Sequence, residues 1–247
     1  MMRALLAAAL LAGCSPSGPS PERQNLHLLT VPSLFWGEGD IASAVQRKTE
    51  RPPLITHLAA AWRVVPLDIA RPDQLKPVSL LLIIQPQALA PDELVALDAW
   101  VRAGGHVLIL ADPDLRGASS SNKGEAQHPP STTLLSPLLA HWGLTLLPDQ
   151  AGAPTRFIAF ADRKVPAPGS GRWISRSRDC TVISDVVARC TLGKGIAVSV
   201  ADADFAISAT DAAAQADGQR LVDRLLKVLV SGQKRTKEEN PTERGEI

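Results

Sequence analysis

Two uninterrupted apolar runs on either side of an amphipathic segment constrain the fold of this chain most. The runs, Ser79–Ile84 and His106–Ala111, are typical of strands buried on both faces of a sheet. The segment between them begins at Pro91 with two acidic residues, carries apolar residues every three or four positions, and stops at Gly104-Gly105. Because two buried strands joined through a helix form a right-handed parallel crossover, the sequence predicts an α/β fold.

The rest of the chain continues this alternation of strand and helix signals. Further strands are predicted at Leu26–Thr30, Arg63–Leu67 and Ile196–Ala201, and further helices at Leu54–Trp62, Thr133–Trp142 and Gln219–Val230. Leu34–Trp36 is interpreted as an apolar continuation of the first strand after a break at Pro32. We therefore expect an open, mostly parallel sheet with helices on both faces and a small antiparallel β insertion at about residues 155–191.

The N-terminus has the composition of an export signal. Arg3 precedes a short apolar run, Ala4–Leu11, which is too short for a bilayer span of about 20 residues but suits a signal peptide. The string Leu11-Ala12-Gly13-Cys14 resembles the lipobox of bacterial lipoproteins, which implies cleavage before Cys14 and acylation of its sulfur. The alternative is an ordinary cleaved signal peptide with a chance cysteine.

These signals divide the chain into four parts. We expect a signal peptide over residues 1–13, a lipidated cysteine and flexible tether over 14–24, an α/β domain over 25–231, and a disordered polar tail over 232–247. The tether is rich in proline, glycine and serine, which cannot build a core.

Two cysteines remain after Cys14, and they suit an oxidising compartment. Cys180 and Cys190 lie in β-like segments with Asp185 available for a turn, so a hairpin would bring them opposite each other. We therefore predict a Cys180–Cys190 disulfide.

Charge and motif content narrow the possible functions. The 26 basic and 25 acidic residues nearly cancel and form no basic stripe, so a nucleic-acid partner is not expected. The sequence has no Gly-x-Ser-x-Gly elbow, no HExxH spacing, no Walker motif and no Gly-x-Gly-x-x-Gly at a helix start. We accordingly assign no catalytic residue, no metal ligand and no cofactor, and expect a protein that is not an enzyme.

Acidic residues follow three of the predicted strands. Carboxyl ends of parallel strands open on one edge of a sheet, where ligands bind. The candidate ligand rim consists of Trp36, Glu38, Asp40, Asp112, Asp114, Asp202 and Asp204. One interpretation is that these residues bind a hard cation or a basic ligand group. The other is that the aspartates cap helices and form turns.

The middle of the chain resembles a known family. Its sequence resembles the GldG-like extracytoplasmic domain of uncharacterised ABC-type transport systems in three segments, Leu80–Pro86, Leu89–Leu94 and Trp100–Asp112. A later strand and aspartate of that family are similar to Leu192–Val198 with Asp202-Ala203-Asp204. The resemblance implies a flavodoxin-like fold of the class I glutamine amidotransferase type without the amidotransferase triad. It also implies a non-enzymatic auxiliary role beside a membrane transport complex.

The sequence thus predicts a lipid-anchored, periplasm-facing domain that binds a ligand or a partner protein without catalysis. The expected partners are membrane lipid, through acylated Cys14, and an ABC-type permease or another envelope protein. Ser15 after the lipid cysteine slightly favours the outer membrane. The alternatives are a carboxylate- or metal-dependent periplasmic hydrolase or transferase, and a purely structural envelope protein.

Overall fold

The computed structural model describes residues 23–37, 50–116, 128–150, 152–160, 163–208 and 211–239. The strands in these ranges are β1 (Asn25–Thr30), β2 (Arg63–Pro66), β3 (Leu80–Ile84), β4 (His106–Leu110), β5 (Leu144–Leu147), β6 (Arg156–Phe160), β7 (Arg163–Ala167), β8 (Arg172–Ser175), β9 (Cys180–Ser184), β10 (Val187–Leu192) and β11 (Gly195–Val200). The helices are α1 (Pro32–Trp36), α2 (Pro53–Ala61), α3 (Pro72–Leu75), α4 (Pro91–Arg102), α5 (Ser136–His141), α6 (Asp204–Ile207) and α7 (Ala212–Glu239).

A seven-stranded sheet forms the centre of the fold, in the order β2-β1-β3-β4-β11-β10-β9. The first five strands are parallel, and β10 and β9 extend the sheet in antiparallel fashion. All residues of β3 and β4 are buried, as expected for central strands covered on both faces. The prediction of an α/β fold with a mostly parallel sheet is confirmed.

Helices form two groups, one on each face of the sheet. In the sheet, β2 lies on one side of β1, whereas β3 and β4 follow on the other side. The crossover from β1 to β2 and the crossover from β3 to β4 therefore run in opposite directions along the sheet. Because both crossovers are right-handed, their helices α2 and α4 lie on opposite faces. Helices α6 and α7 contact α2, whereas α3 and α5 contact α4.

The predicted helix between the two apolar strands is α4, and its ends explain its position. At its start, Glu93 accepts a hydrogen bond from the Ala90 backbone N–H at 2.8 Å. At its end, a Cβ atom on Gly105 would lie 2.4 Å from the ring of Trp100, so only glycine fits there. Trp100 in turn donates its indole N–H to the Val78 carbonyl at 2.9 Å, which fixes the helix against the entry to β3.

The predicted β insertion divides into three parts. β6 pairs with β7 and β8 pairs with β5, as two small antiparallel sheets. The hairpin of β9 and β10 instead joins the main sheet, because β10 pairs with β11. The insertion is therefore not one separate unit, and the cysteine-bearing hairpin completes the central sheet.

Two local predictions differ from the structure. Leu34–Trp36 is not a strand but part of α1, since Pro32 at the first position presets the helical φ angle. Helix α7 continues seven residues beyond Gly232, so the segment expected to be disordered is helical up to Glu239. Its lysine, glutamine and glutamate content favours helix despite the polarity that suggested disorder.

The predicted disulfide is present. Cys180 and Cys190 are directly opposite in the antiparallel pair of β9 and β10, and their sulfurs are bonded. Both residues are buried, so the bridge lies inside the sheet edge that β9 forms.

The signal peptide, Cys14 and the tether up to residue 22 lie outside the described residues and stay predictions. Of the helices that are described, none combines the length and the apolar character that a membrane crossing requires.

Candidate functional site

A cleft of about 440 Å³ opens at the carboxyl ends of β1, β2 and β3. Its three walls lie within residues 28–36, 66–71 and 86–93, and we call it the β1–β3 cleft. The chain leaves β1 toward β2 on one side and later returns to β3 on the other. At such a switch point neighbouring loops diverge, which is where open α/β sheets bind ligands.

Two walls of the β1–β3 cleft, residues 28–36 and 66–71, present large apolar side chains to solvent. Trp36 is 44% exposed and Ile69 is 42% exposed, although both are large hydrophobic residues. The buried ring of Phe35 lies edge-on to the Trp36 ring, with centroids 4.6 Å apart. Phe35 therefore supports Trp36 from the core side.

Glu93 holds two walls of the cleft together, residues 66–71 and 86–93. Its Oε2 accepts the Ala90 N–H at 2.8 Å, and its Oε1 accepts the Ala70 N–H at 3.0 Å. One carboxylate thus ties the loop after β2 to the start of α4. Both of its oxygens are engaged with backbone donors, and its negative charge lies at the N-terminus of the helix.

The cleft carries an excess of negative charge. Among the residues that the structure describes, its lining includes the carboxylates of Asp68, Asp92 and Glu93 and the guanidinium of Arg71, so these four side chains together carry a formal charge of −2. Asp68, Asp92 and Arg71 are exposed to solvent. This charge disfavours an anionic ligand and favours a cationic one.

Gln85 follows the last residue of β3 and precedes the cleft wall that begins at Pro86. It is fully buried and has a φ of 39°, an uncommon left-handed conformation for a residue other than glycine. Its Oε1 accepts the Asp112 N–H at 3.0 Å, and its Nε2 donates to the carbonyls of Asp112 at 3.3 Å and Pro130 at 3.1 Å. Backbone strain of this kind marks sites where the surroundings impose a conformation.

A second feature at the same edge of the sheet is a carboxylate cluster, Asp112, Asp202 and Asp204, at the ends of β4 and β11. All three residues are buried, with at most 1% of their surface exposed. Asp112 accepts N–H groups from Asp114 and Ala203, both at 2.8 Å. It therefore joins the loop after β4 to the loop after β11.

The other two members of the cluster also bind backbone donors. Asp202 Oδ1 accepts the Phe205 N–H at 3.0 Å, and its Oδ2 is buried without a hydrogen-bond partner among the described residues. Asp204 accepts the Arg116 N–H at 3.1 Å and the Ser208 hydroxyl at 2.5 Å.

Burial makes ionisation of this cluster costly. Desolvation raises the pKa of Asp112 to about 6, with the charge of Asp204 adding to the effect. Desolvation and the nearby Asp112 charge raise the pKa of Asp202 to about 8. The pKa of Asp204 is also raised by burial. Near neutral pH, Asp202 is therefore mostly protonated inside the fold.

The structure brings together three of the predicted rim residues, Asp112, Asp202 and Asp204, but it places them apart from Trp36. Trp36 lines the β1–β3 cleft, Asp114 is exposed, and the three members of the carboxylate cluster are buried away from the cleft lining. Glu38 and Asp40 lie outside the described residues. The cluster has the hydrogen bonds of turn and cap residues, the second interpretation of the sequence pattern. In the part of the chain that the structure describes, no group of three or more histidine, cysteine or acidic side chains has the arrangement of a metal site.

Sequence reasoning missed Ile69, Arg71, Asp92 and Glu93 as cleft residues, and it missed Gln85. The acidic residues of the α4 start were interpreted only as helix-start signals. Gln85 leaves a weak signal, a polar residue between an apolar run and Pro86.

Solved structures share this fold at low sequence identity. The mmIFT52 N-terminal domain superposes with a TM-score of 0.51 at 12% identity, covering 84% of this chain and 97% of that domain. A cytoplasmic protein from Salmonella typhimurium LT2 gives a TM-score of 0.50 at 12% identity, covering 83% of this chain and 99% of its own. At these identities the likeness concerns the fold alone.

Glycosidases also resemble the chain over part of their length. An exo-β-1,4-mannosidase from Opitutaceae bacterium strain TAV5 gives a TM-score of 0.45 at 17% identity, covering 91% of this chain. The chain spans 37% of the length of that enzyme. No curated protein sequence matches this chain at a significant level.

A family match covers more than half of the chain. Residues 37–167 match the model of a family described as an ABC-type uncharacterized transport system. This stretch contains two of the three walls of the β1–β3 cleft, residues 66–71 and 86–93. The chain belongs to this family of ABC-type transport system auxiliary proteins.

Proposed function

We propose that this protein is a lipid-anchored, periplasm-facing accessory subunit of an ABC-type transport system, and that it binds a partner subunit in the β1–β3 cleft without catalysing a reaction. The observation that carries this proposal is the cleft itself, open at the topological switch point and walled by the exposed apolar side chains of Trp36 and Ile69. Exposed apolar patches of this kind mark interaction sites.

We also propose that the fold is flavodoxin-like, of the glutamine amidotransferase type. The five parallel strands lie in the spatial order second, first, third, fourth and fifth along the chain, counting β11 as the fifth. This order is the one found in flavodoxin-like sheets, whose ligand site lies at the junction of the first and third strands. The β1–β3 cleft occupies the corresponding place.

The polar groups of the cleft support a binding role. Thr30 donates its hydroxyl to the Ile84 carbonyl at 2.6 Å, and Gln87 donates to the His128 carbonyl at 2.8 Å. Glu93 accepts two backbone N–H groups. All these side chains bond to the backbone and keep the cleft walls in place. A catalytic site would instead need a nucleophile hydrogen-bonded to a base, so the hydrogen bonds favour a binding role.

Two observations support an extracytoplasmic, lipid-anchored location. The Cys180–Cys190 disulfide is typical of an oxidising compartment. The lipobox-like string ends at Cys14, eleven residues before β1 begins at Asn25. A chain of that length spans at most about 40 Å, which would keep the domain within reach of membrane subunits.

The anchoring part of the proposal is tested by mass spectrometry of the native protein and of a Cys14→Ser variant. The expected result is a mature wild-type N-terminus at Cys14 that carries fatty acids, and loss of the protein from the membrane fraction in the variant. An unmodified wild-type N-terminus would contradict lipid anchoring.

The binding part is tested by co-purification from solubilised membranes, with quantification of permease and ATPase subunits. The variant is Trp36→Ala combined with Ile69→Ser. The matched control is Val228→Ser, which removes a side chain on α7 that is 58% exposed. Loss of the transport subunits from the cleft variant, with retention by the control, is the expected result. Equal retention by both would contradict partner binding in the cleft.

A further inference from the structure

We infer that the β1–β3 cleft takes a segment of a partner protein that presents a basic side chain beside an apolar one, and that it rejects phosphate-bearing ligands. This inference rests on the proposed function, because it specifies the chemistry of the partner at the same cleft.

The N-terminus of α4 borders the cleft through Ala90, Asp92 and Glu93. In open α/β sheets such a helix end commonly binds phosphate, because its free N–H groups and the helix dipole attract anions. Here the first helical residue is Pro91, which has no N–H, and Glu93 already accepts the preceding Ala90 N–H at 2.8 Å. A carboxylate therefore occupies the place that a phosphate would need.

The loop after β2 also has a backbone donor that Glu93 already occupies. The Ala70 N–H, which could otherwise serve an anion, donates to Glu93 Oε1 at 3.0 Å. A phosphate would have to displace a carboxylate held by backbone donors from two walls. That displacement would leave the charge of Glu93 next to the anion, which is strongly unfavourable.

Acidic side chains of the cleft remain accessible to a partner. Asp68 and Asp92 are exposed on the cleft lining, and Arg71 is the one basic residue among the described lining residues. Opposite charges favour a lysine or arginine of the partner, and complementary charge fixes the register of an interface as well as its rate of formation. The exposed Trp36 ring adds a surface on which a cation can lie.

The size and the apolar lining of the cleft fit side chains of a protein segment. Ile69 is 42% exposed and Leu89 packs against the core from the other wall, so the cleft also offers apolar contact to an uncharged side chain. Its volume of about 440 Å³ has room for a few side chains. The cleft therefore suits an exposed segment of a partner protein that carries one basic and one apolar side chain.

The experiment uses the full mature protein in an uncharged detergent and measures fluorescence anisotropy of labelled hexapeptides. The probes are Gly-Leu-Arg-Leu-Gly-Ser, the same peptide with glutamate in place of arginine, and the same peptide with both leucines changed to glycine. Competitors are spermidine, inorganic phosphate and ATP. We expect the Leu-Arg-Leu peptide to bind at least about tenfold more tightly than either changed peptide, with affinity falling as salt is raised.

Charge variants give the sharper result. Asp68→Asn with Asp92→Asn should weaken binding of the Leu-Arg-Leu peptide about tenfold, whereas Arg71→Gln should strengthen it. The matched control is Asp179→Asn, an exposed acidic residue next to β9 at the far edge of the sheet. It should leave the affinity unchanged.

Several outcomes would overturn the inference. These are tighter binding of the glutamate peptide, displacement of the probe by phosphate or ATP, weaker binding in Arg71→Gln, or no binding of any peptide at 1 mM. Displacement by spermidine at equal concentration would assign the cleft to small cations instead of a protein segment. The co-purification experiment reports separately on the proposed function: transport subunits lost only from the cleft variant would leave that proposal standing even if the peptide chemistry fails.

Discussion

The β1–β3 cleft and the carboxylate cluster lie at the same edge of one sheet, yet one is open and the other is closed. The cleft exposes Trp36, Ile69 and three charged side chains, whereas the cluster buries three aspartates almost completely. The difference follows from strand order. The loop after β1 leads to α2 on one face of the sheet and the loop after β3 leads to α4 on the other face, so these two loops diverge. β4 and β11 are also neighbours, but the loops that follow them pack against each other.

The comparison shows that an acidic residue after a strand has no fixed role. At the cluster, Asp112 accepts N–H groups from Asp114 and Ala203 and stabilises the fold. At the cleft, Asp68 and Asp92 stay in solvent and determine the charge that a ligand meets.

The largest expected effect on stability tests the closed region. Asp112→Ala leaves the Ala203 N–H buried without its acceptor and also removes the acceptor of the Asp114 N–H. We expect the free energy of unfolding to fall by about 3 kcal/mol, measured by urea denaturation at pH 5. The matched control, Asp114→Ala, removes an exposed side chain and should change it by less than about 0.5 kcal/mol. Equal effects of the two variants would contradict the structural role of Asp112.

A somewhat smaller effect is expected at the residue that connects the two regions. Gln85→Ala removes the acceptor of the buried Asp112 N–H and the donor to the Pro130 carbonyl. The free energy of unfolding should fall by about 2 kcal/mol. Binding of the Leu-Arg-Leu peptide should also weaken, because Gln85 directly precedes the cleft wall at 86–93. A variant with altered stability but wild-type affinity would show that the two regions are independent.

A third prediction concerns pH. Burial raises the pKa of Asp202 to about 8 in the fold, well above that of an aspartate in the unfolded chain, so ionisation destabilises the folded state. The native protein should therefore lose stability as pH rises from about 4 to 8, and Asp112, with a pKa of about 6, adds to the loss over the lower part of that range. Asp202→Asn keeps an oxygen for the Phe205 N–H and cannot ionise.

The measurement is the unfolding free energy of wild type and Asp202→Asn at pH 5 and pH 8. The variant should be about 1–3 kcal/mol more stable than wild type at pH 8, with a much smaller difference at pH 5. Asp179→Asn, exposed at the far edge of the sheet, should follow the wild-type curve. A variant that is no more stable than wild type at pH 8 would be evidence against a buried ionisable Asp202.

The smallest effect on stability is expected in the open region. Asp68→Asn with Asp92→Asn changes two exposed side chains, and only Asp92 lies in the first turn of a helix, so the free energy of unfolding should fall by no more than about 1 kcal/mol. The same substitutions should weaken peptide binding about tenfold. A loss of stability comparable to that of Asp112→Ala would show that the cleft carboxylates are structural and would remove the contrast between the regions.

Some elements of the fold could be predicted from the sequence, and others could not. β3, α4 and β4 were predictable because apolar runs and helical spacing are patterns of neighbouring residues. The end of α4 was also predictable, because the helix ends at Arg102, just before Gly104-Gly105. The disulfide was predictable because its two cysteines are only ten positions apart in the sequence. α1 was mistaken for strand because a five-residue helix is too short to show periodicity.

The sequence by itself determined the α/β alternation, the paired cysteines and the family resemblance, since each depends on residue types at short spacing. The tertiary structure alone decided which strand ends form an open cleft and which are closed. That choice depends on the order of strands, which is set by pairings such as that of His27 in β1 with Leu81 in β3. Residues so far apart in the chain leave no local pattern that reveals their contact.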